Sequence, residues 1–381
     1  MKKKILSLLL ASIMVMGAFA GCAKQEEPVY NEPIVESENL LKTKESDTRI
    51  VVDHFGFEVE IPKKIEKVAV VWLLPLPSVL AVYQGGNVDN LVGMPPDSLN
   101  AAENSILAEY CPEILNVSTE FYKGGELNME ELLNLEPDVV FYSGKARAEL
   151  FQNAGIPAIG FETVVDGNVS PVNTLNEWLI LLEEVFQEES KTQGIMEYAE
   201  KTEKEIMDRV AGIPEDERKN VLMLGHYMDT TITPGSFSIY WCEAVGANCA
   251  SLNAEQAEIN MEQVYEWAPD VVILSTLAQF YPDDLYNNTA GTGHDWSTVP
   301  AIETGDVYKF PLGTHRWWPP SSDAPLALWW LAKTIYPEHF EDIDLNEKVK
   351  EYYEGFYGMT LTDEDVESIL FPNEGLGRRF S

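Results

Sequence analysis

Cations, cysteine and histidine are all scarce in this chain. Its 381 residues include 26 lysines and arginines against 63 aspartates and glutamates, a formal net charge of −37, with 4 cysteines and 5 histidines. A surface so short of positive charge cannot neutralise a phosphate backbone, which removes nucleic acid as a partner. The cysteines show no paired zinc or cluster spacing, so neither a disulfide framework nor an iron–sulfur centre holds the fold. Cys242 and Cys249 fall in one segment read as helix, where seven residues rise about 10.5 Å, too far for a bridge if the helix is regular. With Cys111 they are read as buried thiols. Neither Gly-x-Ser-x-Gly nor His-Glu-x-x-His occurs. Ser236 near His226 lacks a third member, and after Pro234-Gly235 it reads better as a helix N-cap than as a nucleophile.

What is present begins with an export signal. Lys2, Lys3 and Lys4 precede an apolar run over residues 5–19, then Ala20 and Gly21 stand before Cys22. The run is shorter than the roughly 20 residues that span a bilayer, and small residues before a cysteine resemble a lipoprotein cleavage site. Residues 1–21 are therefore expected to be removed and Cys22 to be acylated, more than one chain giving a durable anchor on the outer face of the cytoplasmic membrane. Residues 22–47, rich in Glu, Ser, Asn and Lys without apolar period, read as a flexible tether.

About 330 residues follow, enough for two lobes. A repeat supports that division. Asn128-Met129-Glu130-Glu131 leads to Glu136-Pro137-Asp138-Val139-Val140-Phe141, and Asn260-Met261-Glu262-Gln263 leads to Ala268-Pro269-Asp270-Val271-Val272-Ile273. Each copy reads as a short helix stopped before proline, then a β-branched run suited to a strand buried on both faces of a parallel sheet. Upstream of each stands a further strand and helix, around residues 68–71 and 221–224, with glycine at each helix end. The expected fold is α/β: two lobes, each with a central mostly parallel sheet flanked by helices, joined by one long interlobe helix. The expected boundaries are 48–172 for the first lobe, 173–212 for the interlobe segment, 213–345 for the second lobe and 346–381 for a helical extension. In that extension Thr362 and Asp365 form a capping pair before an amphipathic helix.

Over residues 49–337 the chain resembles the class III solute-binding proteins of ABC importers for ferric siderophores, haem and cobalamin. The marks are Asp53-His54-Phe55-Gly56, Val59-Glu60-Ile61-Pro62, the Asn-Met-Glu to Glu-Pro-Asp-Val-Val unit, and Pro234-Gly235-Ser236 opening a second-lobe helix. The resemblance implies a monomeric capture subunit rather than an enzyme. Its cargo would be a metal chelate (siderophore, haem or corrinoid) held in the interlobe cleft, with no intrinsic cofactor and no resident metal. The implied partner is a permease dimer with ATPase subunits, whose arginines dock acids soon after the repeated strand: Glu149 on one lobe, Asp283 or Asp284 on the other.

In open sheets ligands sit beyond the carboxyl ends of the strands. The loops there offer Trp72, Leu74, Tyr142, Lys145 and Arg147 from the first lobe. The second offers His226, Tyr227, Met228, Phe280, Tyr281, His315, Arg316, Trp317 and Trp318, with one of the two tryptophans expected at the cleft. Aromatics would stack on a flat chelate and the cations pair with its oxygens. Two alternatives stay open: a bare transition-metal ion bound through second-lobe histidines, and a secreted hydrolase.

Overall fold

Four parallel strands form the first sheet, and the sequence explains their burial. The computed structural model describes residues 47–164, 169–188, 193–254 and 257–372, so the signal, Cys22 and all of the tether except Asp47 lie outside the described residues. A hairpin of β1 (Thr48–Val52) and β2 (Glu58–Pro62) comes first. After it run β3 (Val68–Val71), α1 (Leu76–Tyr83), β4 (Leu91–Gly93), α2 (Pro96–Glu103), α3 (Leu107–Tyr110), β5 (Tyr122–Lys123), β6 (Glu126–Leu127), α4 (Met129–Asn134), β7 (Val139–Tyr142), α5 (Ala148–Ala154) and β8 (Ala158–Gly160). The sheet order is β4-β3-β7-β8. Every residue of β3 and β7 is buried, as expected for β-branched runs covered on both faces. The Asp53-His54-Phe55-Gly56 motif proves architectural. The Asp53 carboxylate accepts from the amides of Phe55, Phe57 and Gly160, tying the hairpin to the sheet edge.

Two helices lead to the second sheet. Ser170 caps α6 (Pro171–Phe186) by accepting from the Asn173 amide, and the Trp178 indole in α6 donates to the Glu162 carbonyl. The longer α7 (Gln193–Val210) is the interlobe helix, with Tyr198 edge-on to Tyr352 and Phe356.

The second half contains β9 (Asn220–Met228), β10 (Thr231–Pro234), α8 (Ser238–Ala244), β11 (Asn248–Cys249), α9 (Met261–Trp267), β12 (Val271–Leu274), α10 (Pro282–Tyr286), α11 (Pro300–Thr304), β13 (Val307–Lys309), α12 (Ala324–Ile335), α13 (Leu345–Tyr357) and α14 (Asp363–Leu370). Its order is β10-β9-β12-β13, with β11 also paired to β9; only β10 runs antiparallel. Thr362 caps α14 in a reciprocal pair with Asp365, as the sequence predicts.

The repeat acquires a mechanical meaning. Asn128 and Asn260 cap α4 and α9 through their side chains. The residues before the two prolines, Glu136 (φ 51°) and Ala268 (φ 43°), both take the left-handed conformation that non-glycine residues avoid. The two aspartates then staple the neighbouring strand: Asp138 accepts from the Glu66 and Lys67 amides, Asp270 from the Asn220 amide. Each copy thus ends a helix, turns the chain and sets a strand in register.

Two local expectations are corrected. Ser236 does not cap α8: the helix starts at Ser238, Phe237 holds the N-cap position, and no side chain caps it. The cause is β9, which extends through nine residues and returns as β10 up to Pro234, displacing the helix start. Nor do Cys242 and Cys249 share a helix. α8 stops at Ala244, Gly246 turns left-handed (φ 71°), and Cys249 returns on β11, its thiol 3.6 Å from the Ser251 hydroxyl. Cys111 and Cys242 are buried, while Cys249 is half-buried.

Candidate binding cleft

The carboxyl ends of both sheets contribute to one cavity of about 180 Å³. Trp72, Leu73, Leu74 and Pro75, directly after β3, line it from the first half together with Thr163 and Trp178. Phe237, Leu277, His315, Arg316, Pro319 and Pro320 line it from the second. The wall is rigid where it matters. Trp72 sits at φ 54°, a conformation that an aromatic residue keeps only when its surroundings impose it. Its amide donates to the Tyr122 hydroxyl, its ring packs edge-on to Phe151, and the Arg147 guanidinium lies 4.3 Å from the ring centroid. Pro75, Pro319 and Pro320 add side chains with no rotamer freedom to lose.

The electrostatics favour an anion. Among the described residues that line it, Arg316, 1% exposed, carries the formal charge, and none of them is a carboxylate. His315, 2% exposed, is held well below its ordinary pKa by burial and by the adjacent Arg316, so its ring is neutral and can still donate one N–H. Its Nε2 has no hydrogen-bond partner among the described residues. The same holds for Thr276 Oγ1 beside Leu277, and for Ser321 Oγ and Ser322 Oγ beside Pro320. Buried polar atoms left without partners are costly, and of these four residues His315 lines the cavity, where a ligand's acceptor oxygen would satisfy it.

Of the residues singled out from the sequence, Trp72, Leu74, His315 and Arg316 meet in this lining. The rest lie elsewhere. Tyr142 is buried in the first half and borders a separate cavity of about 300 Å³ with Phe57 and Phe151. Lys145 donates to the Phe55 carbonyl, and Arg147, besides leaning on Trp72, donates to the Ser143 carbonyl. His226 and Met228 pair with Thr233 and Thr231 along the β9–β10 hairpin. Tyr227 is fully buried, its hydroxyl shared among the Ala290 carbonyl, His294 and the Trp296 indole. Phe280 packs on Tyr227, and Tyr281 lies under the Lys309 amine at 3.5 Å. Trp317 and Trp318 are both buried, and neither lines the cavity: Trp318 lies against Gly235, Phe237 and Phe310. The cleft also uses Thr163, Trp178, Phe237 and Leu277, which carry no local signal because long-range packing alone brings them there.

The two acidic positions differ. Glu149 is exposed in the first turn of α5, and Asp283 is exposed in α10, whereas the Asp284 carboxylate accepts from the Tyr281 amide and Thr289 hydroxyl.

Known proteins resemble this arrangement. The chain is 27% identical over 336 residues to the molybdate-binding protein MolA of Haemophilus influenzae, covering 81% of this chain and 91% of that protein. A periplasmic solute binding protein from Veillonella parvula superposes with a TM-score of 0.73 at 27% identity, over 85% of this chain and 97% of that one. Helicobacter pylori CeuE, in its nickel–histidine complex, shares the fold with a TM-score of 0.66 at 22% identity, over 85% of this chain and 99% of that one. The model of the family described as "Periplasmic binding protein" matches residues 76–312, more than half the chain. With two α/β halves joined by a helix and a ligand-sized cleft where their strands end, the chain belongs to the periplasmic binding protein family, as a class III substrate-binding protein of ABC import.

Proposed function

We propose that this substrate-binding protein captures a compact tetrahedral oxyanion of the molybdate type and delivers it, without turnover, to an ABC permease dimer. The observation that carries this reading is the cleft: about 180 Å³, lined by Arg316 as its charge and by neutral His315. Drug-sized ligands need pockets of roughly 300 Å³ or more, so a haem or corrinoid ring would require the halves to move apart. An oxyanion needs no such opening. Its oxygens would accept from Arg316 and His315, charge-assisted bonds being the strong ones. The similarity to a protein named for molybdate supports the same reading.

One feature favours a second reading, an anionic metal chelate. Trp72, Trp178 and Phe237 give the cleft aromatic walls on which an aryl chelate could stack. A bare cation is the weaker alternative, since among the described residues no three His, Cys, Asp or Glu side chains gather to hold a metal ion.

Delivery would use Glu149 and Asp283, the exposed acids of the two halves, with Asp284 holding the start of α10. Acylated Cys22 and the tether would keep a monomeric body near the permease on the outer membrane face. The body would divide at residues 172–173 and 212–213, with α7 between two lobes that close modestly.

The test is a ligand panel read by thermal unfolding and native mass spectrometry: molybdate, tungstate, sulfate, haem and a ferric catecholate. Molybdate at about 1,000 times its Kd should stabilise the protein by about 4 kcal/mol. Stabilisation by haem or the catecholate alone would replace the oxyanion with a chelate.

A further inference from the structure

The segment that carries His315 and Arg316 lies between β13 and α12 and contains no helix or strand of its own, so other elements must fix its shape. One buried carboxylate does much of this. Asp323 stands at the N-cap of α12, yet its side chain caps no amide of that helix. Instead Oδ2 accepts from the Thr314 amide at 2.6 Å, the Thr314 hydroxyl at 2.8 Å and the His315 amide at 3.4 Å. The other oxygen, Oδ1, accepts from the Tyr357 hydroxyl at 2.7 Å.

Tyr357 belongs to α13, and that helix touches the segment a second time: the Tyr352 hydroxyl donates to the Ser322 carbonyl at 2.5 Å. From α14, the Ile369 carbonyl accepts from the Leu312 amide at 2.9 Å. The contact is closed to anything larger than glycine at residue 313, where a Cβ would stand 2.3 Å from the Tyr353 hydroxyl and 2.5 Å from Asp323 Oδ2. All of these groups are buried, Asp323 and Tyr353 completely. A desolvated carboxylate surrounded by four donors is strong and geometrically exacting, because moving any donor leaves a buried charge short of a partner.

We propose that Asp323, Tyr352 and Tyr357 are positioning residues for ligand capture: the C-terminal helices α13 and α14 hold the His315–Arg316 segment in its binding geometry. The helices beyond residue 345, outside the family-matched span of 76–312, are thereby part of the binding apparatus rather than an appendage. The inference rests on the reading of the cleft as the ligand site, but it makes a claim of its own about the free protein.

The experiment uses the purified full-length chain and the variants Tyr357→Phe, Asp323→Asn and Val264→Ala. Val264, buried in α9 and remote in the chain from α13 and α14, makes none of these hydrogen bonds and serves as a control for simple destabilisation. Amide hydrogen exchange at Thr314 and His315 is compared with exchange at Val140 in β7, and molybdate is titrated into each protein. Tyr357→Phe should exchange at least ten-fold faster at Thr314 and His315 with no change at Val140, and should bind molybdate about five- to ten-fold more weakly. Asp323→Asn, which keeps an acceptor oxygen, should fall between it and the wild type. Val264→Ala should lower Tm while leaving the ratio of the two exchange rates and the affinity unchanged. Wild-type exchange at Thr314 and His315 in Tyr357→Phe overturns the proposal whatever the ligand does. Faster exchange there with no molybdate bound by any protein upholds the positioning role and removes the oxyanion reading instead.

Discussion

Replacing Gly235 with alanine should damage stability and binding together. A Cβ at residue 235 would stand 1.8 Å from Cζ2 and 2.1 Å from Cη2 of Trp318, well inside contact distance. The indole has nowhere inexpensive to go. Its ring is 5.9 Å from Phe237 and 5.1 Å from Phe310, centroid to centroid, and its own carbonyl accepts from the Trp241 indole at 3.0 Å. Overpacking a well-filled core costs about 1–3 kcal/mol, and a ring pinned on three sides belongs at the upper end, so we expect a loss of about 3 kcal/mol. Because Phe237, Pro319 and Pro320 line the cleft on either side of this contact, affinity should fall as well. Urea unfolding would give the first quantity and ligand titration the second. In the double variant Gly235→Ala/Trp318→Phe the smaller ring makes room, so the two changes should couple favourably by about 1–2 kcal/mol. A Gly235→Ala protein within about 0.5 kcal/mol of wild type, or strictly additive changes, would refute the packing argument.

Other outcomes follow from single groups. Lys309 is buried beneath the Ala278 and Phe280 carbonyls, and burial draws its amine down to about 7, partly opposed by Asp284. With a folded pKa below the unfolded one, the unfolded chain binds more protons between about pH 7 and 10, so this group should make stability rise with pH in that window. Lys309→Met should flatten the rise in urea midpoints. At pH 7 a maleimide should label Cys249 well before Cys111 or Cys242, since Cys249 is half-exposed and its thiol lowered to about 7 by Cys242, while burial pushes Cys111 up to about 11. Equal labelling of all three by mass spectrometry would contradict that order. Asp138→Ala should cost more than Asp270→Ala, about 2 against about 1 kcal/mol in urea unfolding, because Asp138 receives two backbone amides and Asp270 one.

Much of the architecture is legible in the residues, and the reasons are local. β-branched runs at 139–142 and 271–274 can only be buried strands, and Asn, Pro and Asp around them dictate cap, turn and staple, so both copies of the repeat fold as read. The second hairpin is less legible. β9 reads as ending near Leu224, but its polar and aromatic continuation through His226 and Tyr227 pairs with β10, a choice that depends on the partner strand rather than on propensity. The cleft is legible in part: Trp72 and Leu74 follow directly from the end of β3, and His315 and Arg316 come from the loop after β13. Between β13 and α12, sequence adjacency misleads: His315 and Arg316 line the cavity while Trp317 and Trp318, next in the chain, are buried away from it. Asp323 shows no pattern at all, since its partners lie 8 to 34 residues away.

The most direct test is a crystal structure with molybdate at saturating concentration, read by anomalous scattering from molybdenum. The account expects one dominant peak in the cleft, between Arg316 and His315 on one side and the Trp72–Pro75 segment on the other. A peak in the first-half cavity beside Tyr142, or none while the crystals show the cleft open to another ligand, would contradict it.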